Sequence, residues 1–437
     1  MKGIFATLVN AFRVPELRKK ILFTLFILTI YQLGALIPVP GLNREVFSTL
    51  LQRMGQIGQM MNIITGGSLY AASIFAMGIT PYINSSIIIQ LLTVAIPPLE
   101  RMQKEGEPGK KKIQKIVRFT TIGLALIQAT AFWFATKEAM TSLMHPALAA
   151  ILIIVSFTAG TAFIMWLGER INEKGIGNGI SLIIFTGIVT RIPDMANSLF
   201  NHAIAVSGQF DPMALGVVLG VLLFVSITLA TTATIIFVVF VQNAERRIAV
   251  QYSKKVVGRK TYGGQNTYIP LKVNQSGVMP VIFAMSILSL PQTIVSMFFA
   301  SSDNVVVDWF RNFGSNPFYY VVEVAAILGF TFFYSMIQFN PIEISNNLQK
   351  NGGFIPGVRP GRPTSDYIKR TASRMNWVDG IFLSLVVLIP TLLGTLAHIP
   401  DVWFAGTSVL ILTGVANDLV KQIESQMVTH HYRGFLD

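Results

Sequence analysis

Positive charge is distributed along this chain with a strict alternation. The sequence reads as ten apolar stretches separated by loops. When the N-terminus and every second loop are assigned to one side, 29 of the 34 Lys and Arg residues fall on that side. The other five are Arg44, Arg53, Lys137, Arg191 and Arg311. Basic loops stay on the cytoplasmic face of a bilayer. The pattern therefore predicts a multi-pass membrane protein with both ends in the cytoplasm.

Composition leads the same way. Apolar residues make up 52% and charged residues 13% of the 437, against about a quarter charged in an ordinary soluble domain. The net charge of +13 lies between apolar stretches, which assigns it to orientation and anionic lipid headgroups before nucleic acid. With no cysteine, disulfides, thiolate catalysis and Cys-based metal sites are excluded. No cleavable signal peptide is expected, because residues 1–20 are too polar and lack a small-residue cleavage site. Ile4, Phe5, Leu8 and Phe12 share one helical face, which predicts a helix along the cytoplasmic surface.

A hydrocarbon core about 30 Å thick needs roughly 20 helical residues. The first span is expected within 21–43, ending at Pro38-Val39-Pro40. Later spans centre on 119–136, 147–167, 178–200, 213–242, 275–299, 318–339, 378–397 and 402–420. The second is unusual. No charge appears over the 46 residues from Met54 to Leu99, and Gly66-Gly67 interrupts them. One reading makes Ile57 to Tyr70 a re-entrant segment, followed by a crossing helix from Ala72 to Ile96. Irregular backbone at membrane depth must be buried in protein or line a cavity, so this reading implies a cavity. The other makes the segment an apolar external loop lying on the bilayer. The fifth and tenth spans are weak, with uncharged windows of 16 residues each at 175–190 and 402–417. Short spans at matching positions in two halves point to a binding site or pore at a repeat interface.

Spans two and seven echo each other: Gly78-Ile79-Thr80-Pro81-Tyr82-Ile83 and Gly277-Val278-Met279-Pro280-Val281-Ile282. Their opposite directions suit an inverted repeat of five plus five helices. The prolines are expected to favour kinks.

Ion-coupled transporters carry titratable groups within their helices. Here Glu323, near the outer end of span eight, is the main exception to a neutral interior, and its expected setting is the membrane interface. Asn84, Ser85, Ser86 and Gln90 either line water or bond neighbouring helices. There is no G-x-x-x-x-G-K-[ST] and no H-E-x-x-H. Gly175-Ile176-Gly177-Asn178-Gly179 follows a helix and reads as a tight turn. His430-His431 reads as a solvated tail pair rather than a metal site. These absences point to a passive conduit with a hydrophobic constriction. The rivals are a small-solute transporter, which needs a mid-membrane anchoring residue, and a scaffold without a pore.

Three inner loops are strongly basic: 101–118, 245–272 and 350–374. Orientation and anionic lipid account for basic loops in general. The second and third exceed what topology demands, and loops of that length usually carry function. Acidic protein surfaces or ribosomal RNA phosphates are the candidate partners.

The stretches Ile74–Ile83, Ser86–Leu92, Lys174–Ser181, Pro270–Asn274 and Gly352–Gly361 together resemble the SecY family, central subunits of the bacterial Sec protein-conducting channel. The resemblance covers essentially the whole chain. It implies an all-α membrane protein of ten transmembrane helices, in inverted halves 1–210 and 211–437, around an hourglass pore in the plasma membrane. It implies no cofactor and no catalysis. The implied pore ring is Ile79, Ile83, Ile184, Ile282 and Ile411. The implied plug is Met60, Met61, Asn62, Ile63, Ile64, Thr65, Gly66, Gly67, Ser68, Leu69 and Tyr70. A lateral gate would open between spans two and seven, with Gln90, Gln128 and Asn274 as its polar cluster. The loops 243–274 and 340–376 would dock the motor ATPase SecA and the ribosome through Arg259, Lys260 and Arg359. Lys260 stands where a second arginine is expected, which weakens bidentate phosphate recognition there. The further implied partners are SecE, SecG, signal sequences, unfolded client polypeptides and anionic lipids.

Overall fold

The chain is mostly helical. The structure, a computed structural model, describes residues 9, 11–53, 65–135, 145–207, 213–252, 255–257, 260–262, 266–298, 304–311, 313–396 and 405–433. Its helices are α1 (Pro15–Gly34), α2 (Arg44–Arg53), α3 (Thr80–Ala95), α4 (Pro97–Lys104), α5 (Glu107–Ala135), α6 (Pro146–Lys174), α7 (Gly179–Ser207) and α8 (Met213–Asn243). These are followed by strands β1 (Glu245–Tyr252), β2 (Lys255–Val257), β3 (Lys260–Tyr262) and β4 (Asn266–Lys272). The remainder comprises α9 (Met279–Phe298), α10 (Val305–Arg311), α11 (Pro317–Gln338), α12 (Pro341–Lys350), β5 (Gly353–Phe354), α13 (Arg362–Leu396) and α14 (Ala405–Arg433).

Among the described residues six helices are long and apolar enough to cross a membrane, or seven if α3 and α4 count as one broken span. Those two helices bend by 100° at their junction. Helix α9 supplies a shorter apolar run, Met279–Gln292. Arg18, Lys19 and Lys20 lie in the early turns of α1, and Asp418 and Lys421 interrupt α14.

Span two departs from expectation in a physically instructive way. Residues 65–79 run through turns rather than helix, and α3 begins only at Thr80, not at Ala72. Pro81 sits in the first turn of α3, where its missing N–H costs nothing. Pro280 holds the same place in α9. The two hexads are therefore helix starts, and the prolines do not kink their helices. Interior prolines occur instead at Pro193, Pro291 and Pro390. The first helix ends at Gly34, earlier than the apolar run. The following residues pair with the end of the irregular segment: the Val39 N–H bonds the Ala72 carbonyl at 2.8 Å, and the Ile74 N–H bonds the Ile37 carbonyl at 3.0 Å.

Packing groups the chain into two compact units. One comprises Met1–Ser226, Met285–Tyr319 and Ile411–Asp437; the other comprises Ile227–Ala284 and Tyr320–Leu410. The first has an aromatic core around Phe47, Phe132 and Phe157, beside Leu69 and Ala76. Near the N-terminus, Ala11, Leu17 and Ile21 pack with Ile176 and Ile423, while Phe12 is exposed. Ile4, Phe5 and Leu8 lie outside the described residues. The 175–179 cluster is a tight turn, as its glycines predict, and it is pinned from three sides. Ile176 N–H bonds Thr24 Oγ1, Gly177 N–H bonds Gln422 Oε1, and Gly179 N–H bonds Asn172 Oδ1. The second unit contains the sheet, in the order β4-β1-β5.

Candidate functional site

Two consecutive glycines open the described part of the irregular segment. Gly66 and Gly67 have φ of +64° and +86°, the left-handed region that glycine enters without steric cost. Both are also spatially required. A Cβ on Gly66 would stand 2.8 Å from the Gly187 Cα. A Cβ on Gly67 would stand 2.6, 2.7 and 2.8 Å from Nη2, Cζ and Nε of Arg191. Three nearly equal distances mean that the guanidinium lies face-on against Gly67. Asp194 holds that guanidinium through Nη1 at 2.8 Å. Thr65, one residue earlier, packs on Gly78, the residue before Ile79: a Cβ there would meet Thr65 Cγ2 at 2.9 Å.

Ile184, Gly187 and Arg191 are spaced by three and four residues, which puts them on one face of α7. The segment 65–67 therefore lies on the α7 face that carries Ile184 and beside the start of α3 with Ile79. Ile79, Ile83 and Ile184 are buried, and the Ile83 N–H bonds the Ile79 carbonyl at 3.1 Å. Ile282 and Ile411 are half-buried. Ile411 belongs to the first compact unit and Ile282 to the second. Within the rest of the segment, Ser68 and Leu69 are buried and Tyr70 is half-buried. Met60, Met61, Asn62, Ile63 and Ile64 lie outside the described residues.

The residues expected to form the polar cluster belong to both units. Gln90 is half-buried and donates to Ser86 Oγ at 3.4 Å; Gln128 is half-buried in α5. Both lie in the first unit, whereas Asn274, buried, lies in the second. Ser85 bonds the Val117 carbonyl of α5 at 2.9 Å, so this member of the polar set is helix glue.

The two long basic loops meet in one sheet. Strand β1 pairs along its length with β4 and, through Gln251↔Phe354 and Tyr252↔Gly353, with β5 of the third loop. Gly353 lies against the Tyr252 ring, which a Cβ would meet at 2.9 Å. Beneath the sheet Ile248, Val250 and Leu271 pack with Leu348, Ile355 and Ile368. Ile355 anchors the tip of the third loop in this core and leaves Arg359 exposed. The Arg359 carbonyl accepts from Thr364 Oγ1 at 2.8 Å, and the Gly361 carbonyl accepts from Ser345 Oγ at 2.7 Å. Arg247, outside the membrane-spanning segments, is raised above its usual pKa, chiefly by its hydrogen bond to Glu245. Lys260 opens β3, while Arg259 lies outside the described residues.

Besides Glu169, which is paired with Arg118, two buried acids alter the reading of the interior. Glu323, near the start of α11, is 3% exposed. Asp379, fully buried in α13, was not singled out by pattern because it stands at the edge of an apolar run. Its charge inside an expected span was the available signal.

The SecY family model matches residues 73–420. The chain is 42% identical to the protein translocase subunit SecY of Halalkalibacterium halodurans, covering 99% of this chain and all of that protein. It is also 42% identical to the same subunit of Bacillus subtilis with the same coverage. Among solved structures, a protein-conducting channel aligns with TM-score 0.60 at 18% identity over 94% of this chain and 93% of that one. A channel described by a SecY plug domain that stabilises its closed state aligns with TM-score 0.63 at 18% identity over the same shares. Sec61 in a canine ribosome–channel complex aligns with TM-score 0.56 at 17% identity, again over 94% and 93%. The helical order, the two hexads and the match over nearly the whole chain have one common account: this chain belongs to the SecY family.

Proposed function

We propose that this chain forms the pore of a protein-conducting channel in the bacterial plasma membrane. It passes unfolded polypeptide across the bilayer and releases apolar segments sideways into lipid. The observation that carries this reading is the seat of residues 65–67, on the α7 face that bears Ile184 and beside Ile79. A plug resting on constriction residues needs that adjacency. Aliphatic side chains hold no client segment tightly and exclude ions by dewetting.

In this reading α1, α3, α5, α6, α7, α8, α9, α11, α13 and α14 are the ten spans, arranged as inverted halves 1–210 and 211–437, with both ends cytoplasmic. Ile79, Ile83, Ile184, Ile282 and Ile411 form the ring. The 60–70 segment is the plug. Gln90, Gln128 and Asn274 border the gate through which a signal sequence reaches lipid. The sheet joining the loops 243–274 and 340–376 is the docking platform, with Arg359, Arg259 and Lys260 facing a SecA motor or the ribosome. SecE and SecG complete the complex, and anionic lipid meets the basic loops. Energy comes from the motor or from chain elongation.

Cysteine placed singly at Ile83, Ile184 and Ile282 tests the pore. Each should crosslink to a client arrested in transit, while cysteine at the exposed Phe240 should not. Crosslinking at none of the three would exclude the conduit.

A further inference from the structure

The carboxylate of Asp379 sits on a membrane helix, fully buried, and makes no ion pair among the described residues. An acid in that setting needs a specific use. Its partner lies on a short connector. Oδ2 accepts the Ser276 hydroxyl at 2.6 Å and faces the Ser276 N–H at 3.5 Å. Ser276 lies in the connection between β4, which ends at Lys272, and α9, which begins at Met279. Gly277, next in line, takes φ of +65°. The connector is thus turned sharply at one residue and held at the residue before it.

One end of this connection is fixed by the sheet, where the Val273 N–H bonds the Ala244 carbonyl at 2.9 Å. The other end starts the helix that carries Ile282. A clamp at Ser276 therefore sets the direction in which α9 leaves the platform. We propose that Asp379 is a positioning residue for the lateral gate: by holding Ser276 it fixes the resting pose of α9, and so the apolar strength a signal sequence must have to open the channel. This rests on the channel reading above, in which α9 is a wall of the gate.

The test uses the complete channel complex in membrane vesicles with its motor. It compares a client carrying an intact signal with one whose apolar core is shortened. Ser276→Ala and Asp379→Ala should each raise export of the shortened client, relative to the intact one, by about five- to tenfold, the factor one buried hydrogen bond carries. Asp379→Asn keeps an acceptor oxygen and should stay near the parent ratio. The double alanine variant should match the singles, because both remove one contact. Simple loss of stability would lower export of both clients together and leave their ratio unchanged. An unchanged ratio in Ser276→Ala, with Ile282→Cys added to the same channel still crosslinking to an arrested client, would overturn the clamp. Absence of that crosslink would instead overturn the channel reading.

Discussion

The backbones of Gly66 and Gly187 touch with no side chain between them. A Cβ built on Gly187 would stand 3.3 Å from both the Cα and the N of Gly66. Gly187→Leu should therefore lift residues 65–67 off α7. Gly66→Ala adds a left-handed penalty of about 1–2 kcal/mol, enough to multiply an unseated population roughly tenfold. Arg191→Ala removes the guanidinium that covers Gly67. All three variants should raise ion conductance of resting channels in proteoliposomes, with Gly187→Leu the largest effect.

Ile83 and Ile282 occupy equivalent positions in the two hexads. Replacing both with Ser should wet the constriction and increase ion leak beyond either single change. Planar-bilayer recordings of closed channels give the answer. Unchanged conductance would remove these side chains from the seal.

Arg359 is exposed at the tip of a loop whose base is buried through Ile355. Arg359→Glu should abolish motor-driven transport without disturbing the sheet or membrane assembly. Vesicle import assays, with complex recovery in detergent as the control, separate the two effects.

Gly353→Val should weaken the same transport by another route. The added side chain collides with the Tyr252 ring and breaks the β1–β5 pairing, so the third loop loses its register while Arg359 remains intact. Protease sensitivity of the 351–361 segment should rise.

Arg118 holds Glu169 through two bonds, Nε–Oε1 at 3.2 Å and Nη2–Oε2 at 2.7 Å. The Glu169 side chain is 9% exposed and that of Arg118 is 44% exposed. Arg118→Ala leaves the nearly buried Glu169 carboxylate with only the 3.4 Å bond from Gln114 Nε2, at a cost of about 1–3 kcal/mol. Arg118→Met combined with Glu169→Leu should recover most of the loss, because neither charge remains unpaired. Thermal denaturation in detergent measures both.

Most of the long helices were legible because hydropathy is a local property of the chain. The start of α3 was misplaced because Ile74–Ile79 are as apolar as a helix interior. Only pairing with 37–39 and the turn at Gly78 exclude them from it. The sheet was not legible at all. Gln251 and Phe354 are paired across about a hundred residues of chain, and no periodicity in either loop announces a partner that remote. The seat of residues 65–67 and the Asp379–Ser276 bond share this reason. Each joins residues whose types are individually ordinary, and only tertiary contact makes them a unit.

The sheet also has a mechanical consequence. Strand β4 stops at Lys272 and α9 starts at Met279, so only six residues separate sheet from helix, and Val273 and Ser276 among them are tied down. Through β1, the tip bearing Arg359 is laced to the same strand. Whatever grips either loop thus grips both, and a tug on them arrives at α9 as leverage rather than being lost in a tether.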